Sequence, residues 1–346
     1  MYASISRILC IISMVCITSV STQAAGVHIV GSSTVYPFAK RTADYLLKNK
    51  MLEHPIHFDV TGSGSGIKLF CASNAPASPD ITNASRRIKP QELEDCQKHG
   101  VHVTEMMMGY DGIVIVQSDA SLPLHLSTKS LFLALAKKVP SKDGKKLIPN
   151  PYNYWDDINS GYPHREILIF GPPKHAGTRD ILESKVMGIA SREMKLYRAF
   201  PKNEYHTMRE DGRFISDGEN HTRDVSILLN NHDAIAVFGY SYYYHNHTGL
   251  NLISFNHISP NPENIASMHY PLARPLFFYI KNGHLSNNKD LNTYIHTIMS
   301  DMMIGDSGIL VNAGLIPLPG SVRGGYRLWL KYGFELKRGT LSIEAQ

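Results

Sequence analysis

The stretch His57-Phe58-Asp59-Val60-Thr61-Gly62-Ser63-Gly64-Ser65-Gly66-Ile67-Lys68-Leu69-Phe70-Cys71-Ala72 decides the fold. Its first four residues read as a short strand, Thr61 to Gly66 as a Gly/Ser loop, and Ile67 to Ala72 as a helix. The same grammar stands on both sides of it. Before it, Val27 to Val30 is a strand, Gly31-Ser32-Ser33-Thr34 a loop, and Pro37 opens a helical pattern through Ala43, Leu46 and Leu47. After it, Asp80 to Asn83 is a strand, Ala84-Ser85-Arg86-Arg87 a loop, and Pro90 to His99 a helix. Strands alternating with helices call for an α/β fold with a mostly parallel sheet and helices on its faces.

Beyond these units, Val103 to Met108 and Gly112 to Val116 read as two strands, and Ser127 to Lys137 as a capped helix. Tyr152 to Pro163 is aromatic and loop-like. A second α/β region starts at Ile167 to Phe170, with Gly177-Thr178-Arg179-Asp180 opening a helix through Val186. Ala234 to Phe238 and Leu276 to Ile280 are further strands, and Asp290 to Met303 is an amphipathic helix. The 346 residues suit two lobes. The expected division is a leader over 1–25, a first lobe over 26–112, a second over 113–240, and a return to the first over 241–346. Chain crossings are expected near Gly109 to Val116 and Phe238 to Phe255.

The leader carries one charge, Arg7, before an apolar run from Ile8 to Val20 and the small residues Ser21 to Ala25. That pattern predicts a secretory signal peptide cut near Ala24 or Ala25, and a periplasmic product. Its loss lowers the formal charge from +5 to +4, too mild an excess to call for nucleic acid. Cys10 and Cys16 leave with it; Cys71 and Cys96 remain, and export favours their pairing.

Four loops of strand–loop–helix type carry Ser33 and Thr34, Ser63 and Ser65, Ser85 and Arg86, and Gly177, Thr178, Arg179 and Asp180. In open α/β sheets ligands bind at the carboxyl ends of strands, where helix N-termini present unpaired N–H groups and the positive end of their dipoles. Glycine admits a close backbone approach, and hydroxyls add donors, so such loops can desolvate a small anion without leaving it unpaired. Arg86 and Arg179 add forked cations suited to an oxyanion. Any one of these loops is explained by helix capping alone; four together point to an anion. A nucleotide P-loop is excluded, because no Gly-Lys-Ser/Thr ending follows the glycines.

At these loops the sequence resembles the phosphate-binding subunits of ABC-type phosphate importers, in the type II periplasmic binding protein superfamily. The resemblance rests on Gly31 to Pro37, Thr61 to Lys68, Asp80 to Arg86, Gly109-Tyr110-Asp111-Gly112, Gly177 to Asp180 and Tyr270 to Leu276, in the expected order. It implies two hinged lobes closing on inorganic phosphate, with no cofactor, and delivery to importer membrane subunits by a monomer. It places Thr34 and Ser63 on hydroxyl ligands of the first lobe, and Gly177 and Thr178 on donors of the second. There are departures. Arg86 stands where the better-known branch has the Asp that accepts the phosphate proton, Ala176 where it has Ser, and Pro172 where it has Arg. The acceptor duty then falls to Asp180, with Asp111 in reserve.

Rival readings are a binder of sulfate, phosphite or molybdate, and a secreted hydrolase. The second finds no Gly-x-Ser-x-Gly elbow and no His-Glu-x-x-His, and His245 and His247 beside Tyr242 to Tyr244 read as surface rather than metal ligands. The expectation is a binding protein and not an enzyme.

Overall fold

The computed structural model of the chain describes residues 26–174, 176–194, 207–216 and 221–337. The leader reading, with its cut near Ala24 or Ala25, lies outside the described residues. Among the described residues no helix is long and apolar enough to cross a membrane.

Three short parallel strands open the fold: β1 (His28–Gly31), β2 (His57–Val60) and β3 (Ile81–Ala84), in the order β2-β1-β3. Each feeds a helix: Tyr36–Lys48, Ser63–Cys71 and Pro90–Lys98. A long strand β4 (Val103–Ser118) follows. Then come β5 (His125–Leu126), a β6 (Lys138–Pro140) and β7 (Leu147–Pro149) hairpin, and β8 (Leu168–Gly171), β9 (Phe214–Ser216), β10 (Ala234–Gly239), β11 (Leu250–Phe255) and β12 (Ala273–Lys281). The main sheet runs β2-β1-β3-β12-β4-β10-β8-β9, with β11 also on β4 and β5 on β11. In its second half β10, β8 and β9 are parallel, so the fold is the expected α/β class, with antiparallel β4 and β12 between two parallel runs.

β4 joins the halves. From Val103 to Gly112 it pairs with β12, and from Ile113 to Ser118 it pairs with β10 and β11. The sequence reading breaks this strand at Gly109-Tyr110-Asp111; the structure runs through it, with a register shift opposite Leu276 and Phe277. The cross-strand ladder from β12 and the bridge between Tyr110 and Ile316 hold the glycine-bearing segment extended. Separate apolar cores follow the same division. One gathers Ile115, Phe170, Val237 and Phe255; another gathers Ile29, Phe38, Phe278 and Ile295.

A second difference lies at the opening stretch. The helix begins at Ser63, inside the Gly/Ser run expected to be loop. Glycine is a poor helix former, yet a Cβ on Gly66 would stand 2.3 Å from the Gly31 Cα. The glycine is there so that the helix can lie directly on the end of β1. Gly62, at φ +80°, makes the turn that precedes it. Cys71 at the end of this helix is bonded to Cys96 on the next, as expected, and ties the two helices together.

Candidate oxyanion site

A cavity of about 250 Å³ opens where the two halves of the sheet meet. From the β1 side come Ser33 and Thr34, then Arg41 on the following helix. From the other half come Thr178, in the helix Gly177–Ile181, and Ser241, in the helix Tyr240–His245 that follows β10. Asp111 of β4 and Arg274 of β12 line it from the strands between. Helix starts therefore approach it from both sides, each just past the carboxyl end of a parallel strand.

The sharpest single feature is Thr34. Its Oγ1 is enclosed and has no hydrogen-bond partner among the described residues. An enclosed hydroxyl without a partner costs about 1–3 kcal/mol, a penalty that a bound acceptor would remove. Its backbone is fixed by the Ser32 hydroxyl, which accepts from the Thr34 N–H at 3.3 Å, and by the Ser32 N–H, which donates to the Asn83 carbonyl at 2.9 Å.

Asp111 and Arg274 are cross-strand neighbours in the β4–β12 ladder. The guanidinium donates through Nε at 3.2 Å and Nη2 at 3.0 Å to the same Asp111 oxygen, with both side chains almost wholly buried. Burial pulls the Arg274 pKa below its ordinary value, while Asp111 and, more distantly, Asp180 act to raise it. A poorly solvated cation in this position attracts further negative charge.

The remaining expected residues divide. Ser63 and Ser85 come together, the Ser63 Oγ accepting from the Ser85 N–H at 3.1 Å and lying 3.2 Å from the Ser85 Oγ. Ser65 is exposed in the first turn of its helix. Arg86 turns to Glu92, donating from Nη1 and Nη2 at 2.8 and 2.7 Å, and its neighbour Arg87 grips the buried Glu105. Neither lines the cavity. Asp180 follows Thr178 on the same turn; loss of water around its carboxyl pushes it above its ordinary range, opposed by Arg274. Arg179 is buried beneath the ring of Phe214, donates to Glu183 at 2.9 Å, and faces a different cavity of about 630 Å³ lined also by Arg209. Both arginines there are already matched, Arg179 by Glu183 and Arg209 by Asp211.

Arg41, Ser241 and Arg274 line the cavity without having been singled out as ligands. Arg274 lies in a quoted motif, but on a strand, where no loop marks it. Ser241 is hidden in the tyrosine run Tyr240 to Tyr244, which is itself helical, with Phe238 and Tyr242 edge to face. His247 points Nδ1 at the Tyr244 carbonyl and His245 stands edge-on to Tyr244, a surface packing arrangement.

Residues 18–301 match the family model for the PBP superfamily domain. Protein SphX of Synechococcus elongatus is 26% identical over 310 residues, spanning 88% of this chain and 80% of that protein. The phosphate-binding protein PstS of Staphylococcus haemolyticus is 26% identical over 280 residues, spanning 78% of this chain and 75% of its own length. Among solved structures, a possible phosphate binding protein from Planctomyces limnophilus superposes with a TM-score of 0.66 at 23% identity, covering 89% of this chain and 98% of that one.

Proposed function

The chain belongs to the PBP superfamily, and from that premise we propose that it captures inorganic phosphate in the cavity at Thr34, Asp111, Thr178 and Arg274. The observation that carries the reading is the enclosed Thr34 Oγ1, without a partner among the described residues, in the same cavity as a buried Asp–Arg pair. Hydroxyls and helix N–H groups donate to the anion's oxygens, and Arg274 supplies charge. Protonated phosphate also carries a hydrogen that needs an acceptor. Asp111, which lines the cavity, fits that duty better than Asp180, which does not. Sulfate has no such hydrogen and would meet the carboxylate as repulsion. The name of the staphylococcal relative supports the same ligand.

In this reading one lobe holds 26–112 and the return from β12 onward, and the other holds 113 to the end of β11, because β10 and β11 both pair with the second half of β4. The return thus starts later than the expected 241, and the second crossing moves from Phe238–Phe255 to the approach to β12. The lobes close by hinge rotation when Ser33 and Thr34 on one side and Thr178 and Ser241 on the other engage one anion. The protein is an exported, periplasmic monomer that hands phosphate to the membrane subunits of an ABC importer. Ser63, Ser65, Ser85 and Gly177 buttress or extend the donor set; Arg86 and Arg179 hold their own loops through Glu92 and Glu183.

Calorimetry with phosphate, sulfate, phosphite and molybdate on the anion-free protein tests this. Phosphate should bind one to one and far more tightly than sulfate, with compaction in small-angle scattering. At a thousandfold excess over Kd it should add about 4 kcal/mol of stability. Tighter binding of sulfate or molybdate would replace phosphate with that anion as the ligand.

A further inference from the structure

A second chemistry-bearing cluster lies at the other end of β1, away from the cavity. His28 opens β1, and the parallel register sets it opposite His57 on β2, the edge strand of the sheet. Asp59 follows His57 by two residues, so the pleat brings it to the same face. The result is two imidazoles on one carboxylate. His28 Nε2 lies 2.8 Å from one Asp59 oxygen and His57 Nε2 lies 3.4 Å from the other. One donor atom from each of the three residues lies within 4.8 Å of the others. Solvent reaches all three, with side-chain exposures of 27%, 69% and 46% for His28, His57 and Asp59. The His28 backbone is anchored, its N–H donating to Asp80 at 2.8 Å.

We propose that His28, His57 and Asp59 form a surface site for a first-row divalent cation of the Zn²⁺ class. Two neutral imidazole nitrogens and one carboxylate oxygen are the donor set that Zn²⁺ accepts, whereas Ca²⁺ and Mg²⁺ favour oxygen donors throughout. Zinc–ligand bonds of about 2.0–2.2 Å require the three donors to draw together. The exposed His57 ring has the rotamer freedom to do so, while the sheet holds the two backbones in register. His54, which faces Asp290, is the nearest further imidazole in sequence on this edge and is engaged elsewhere. Three protein ligands leave a coordination position for water. An occupied site clamps the edge strand β2 to β1 and stabilises the first half of the sheet.

The test uses the full chain without a polyhistidine tag, treated with chelator, in phosphate-free buffer. Zn²⁺ titration by calorimetry should show one site. His57→Gln and Asp59→Asn should each weaken it by about tenfold or more, on the scale at which lost ligand-sphere groups act. Both positions are exposed enough that the variants should keep the parent melting temperature without metal. Added Zn²⁺ should raise the melting temperature of the parent but not of the variants. A control variant, His245→Gln with His247→Gln, should bind Zn²⁺ as the parent does. Unchanged Zn²⁺ affinity in the His57→Gln, Asp59→Asn double variant overturns the site, and so does a loss confined to the control. In either case the cluster is only a hydrogen-bonded guard on the sheet edge.

Discussion

Arg86 and Arg274 each hold a carboxylate, and the two pairs live in different surroundings. Arg86 meets Glu92 six residues on, across one loop, with side chains 34% and 22% exposed. Arg274 meets Asp111 across 163 residues, between neighbouring strands, with side chains 4% and 5% exposed. The first pair is local, partly wet and closed on itself; Glu92 holds the Arg86 pKa above its ordinary value. The second is dry, and Arg274 sits below its ordinary value because burial outweighs its acidic neighbours. An arginine beside a Ser-rich loop advertises an anion site in sequence, yet its guanidinium is engaged by Glu92. Of the two arginines that line the cavity, Arg41 comes from the helix after β1, and Arg274 comes from a strand far along the chain.

If that contrast is right, the largest effect belongs to Arg274→Ala. Breaking a buried pair leaves Asp111 charged and unpartnered, at about 3–5 kcal/mol of stability. Phosphate affinity should fall by about a hundredfold or more, read by calorimetry on whatever fraction remains folded, with Arg274→Lys as the milder companion. Next comes the Arg86 side. Removing the disulfide with Cys71→Ser and Cys96→Ser should cost about 3 kcal/mol in the chain-entropy model while leaving anion affinity within twofold, about the error of a titration. Loss of both together would place the Arg86 side of the fold in the site after all.

Asp111→Asn is the sharper probe. The isosteric amide keeps a partner for Arg274 but can donate towards the anion, so phosphate should weaken by about tenfold while its advantage over sulfate shrinks. If Asp180→Asn shows this loss instead, the acceptor sits on the helix start and not on β4. Arg86→Ala should do least to binding, less than about threefold, and cost about 1 kcal/mol or less of stability, as for a partly exposed pair.

Asp180 gives a pH test of its own. Its carboxyl is raised above the ordinary 3.8 in the folded protein, so ionising it costs stability as pH rises through that window. Stability relative to Asp180→Asn should therefore be highest in acid and decline towards neutral pH, measured as melting temperatures of both proteins from about pH 4 to 7. An advantage that grows with pH would show that the carboxylate is stabilised by Arg274, contrary to the burial effect.

Much of this was legible in the sequence, for identifiable reasons. The strand–loop–helix grammar placed Ser33, Thr34 and Thr178 at strand ends, because both features come from local pattern. It also gave the fold class, while the Cys71–Cys96 bond was read from two cysteines remaining in an exported chain. What escaped it depends on distant partners. Ser63 opens a helix within a glycine run because Gly66 packs on Gly31, a contact with no local signature. Gly109 to Asp111 reads as a break between two strands until β12 pairs with it. Arg41 lies one turn into a helix whose exposed face gives no hint of a cavity, and Arg274 needs the sheet order before its neighbour Asp111 can be named.

The most direct measurement is a crystal structure of the protein grown with phosphate. The account predicts one tetrahedral anion accepting from the Thr34 hydroxyl and Thr178, beside Arg274 and with one oxygen against Asp111. An anion held instead by Arg179 and Arg209 in the cavity at Phe214, with the Thr34 site empty, would contradict it.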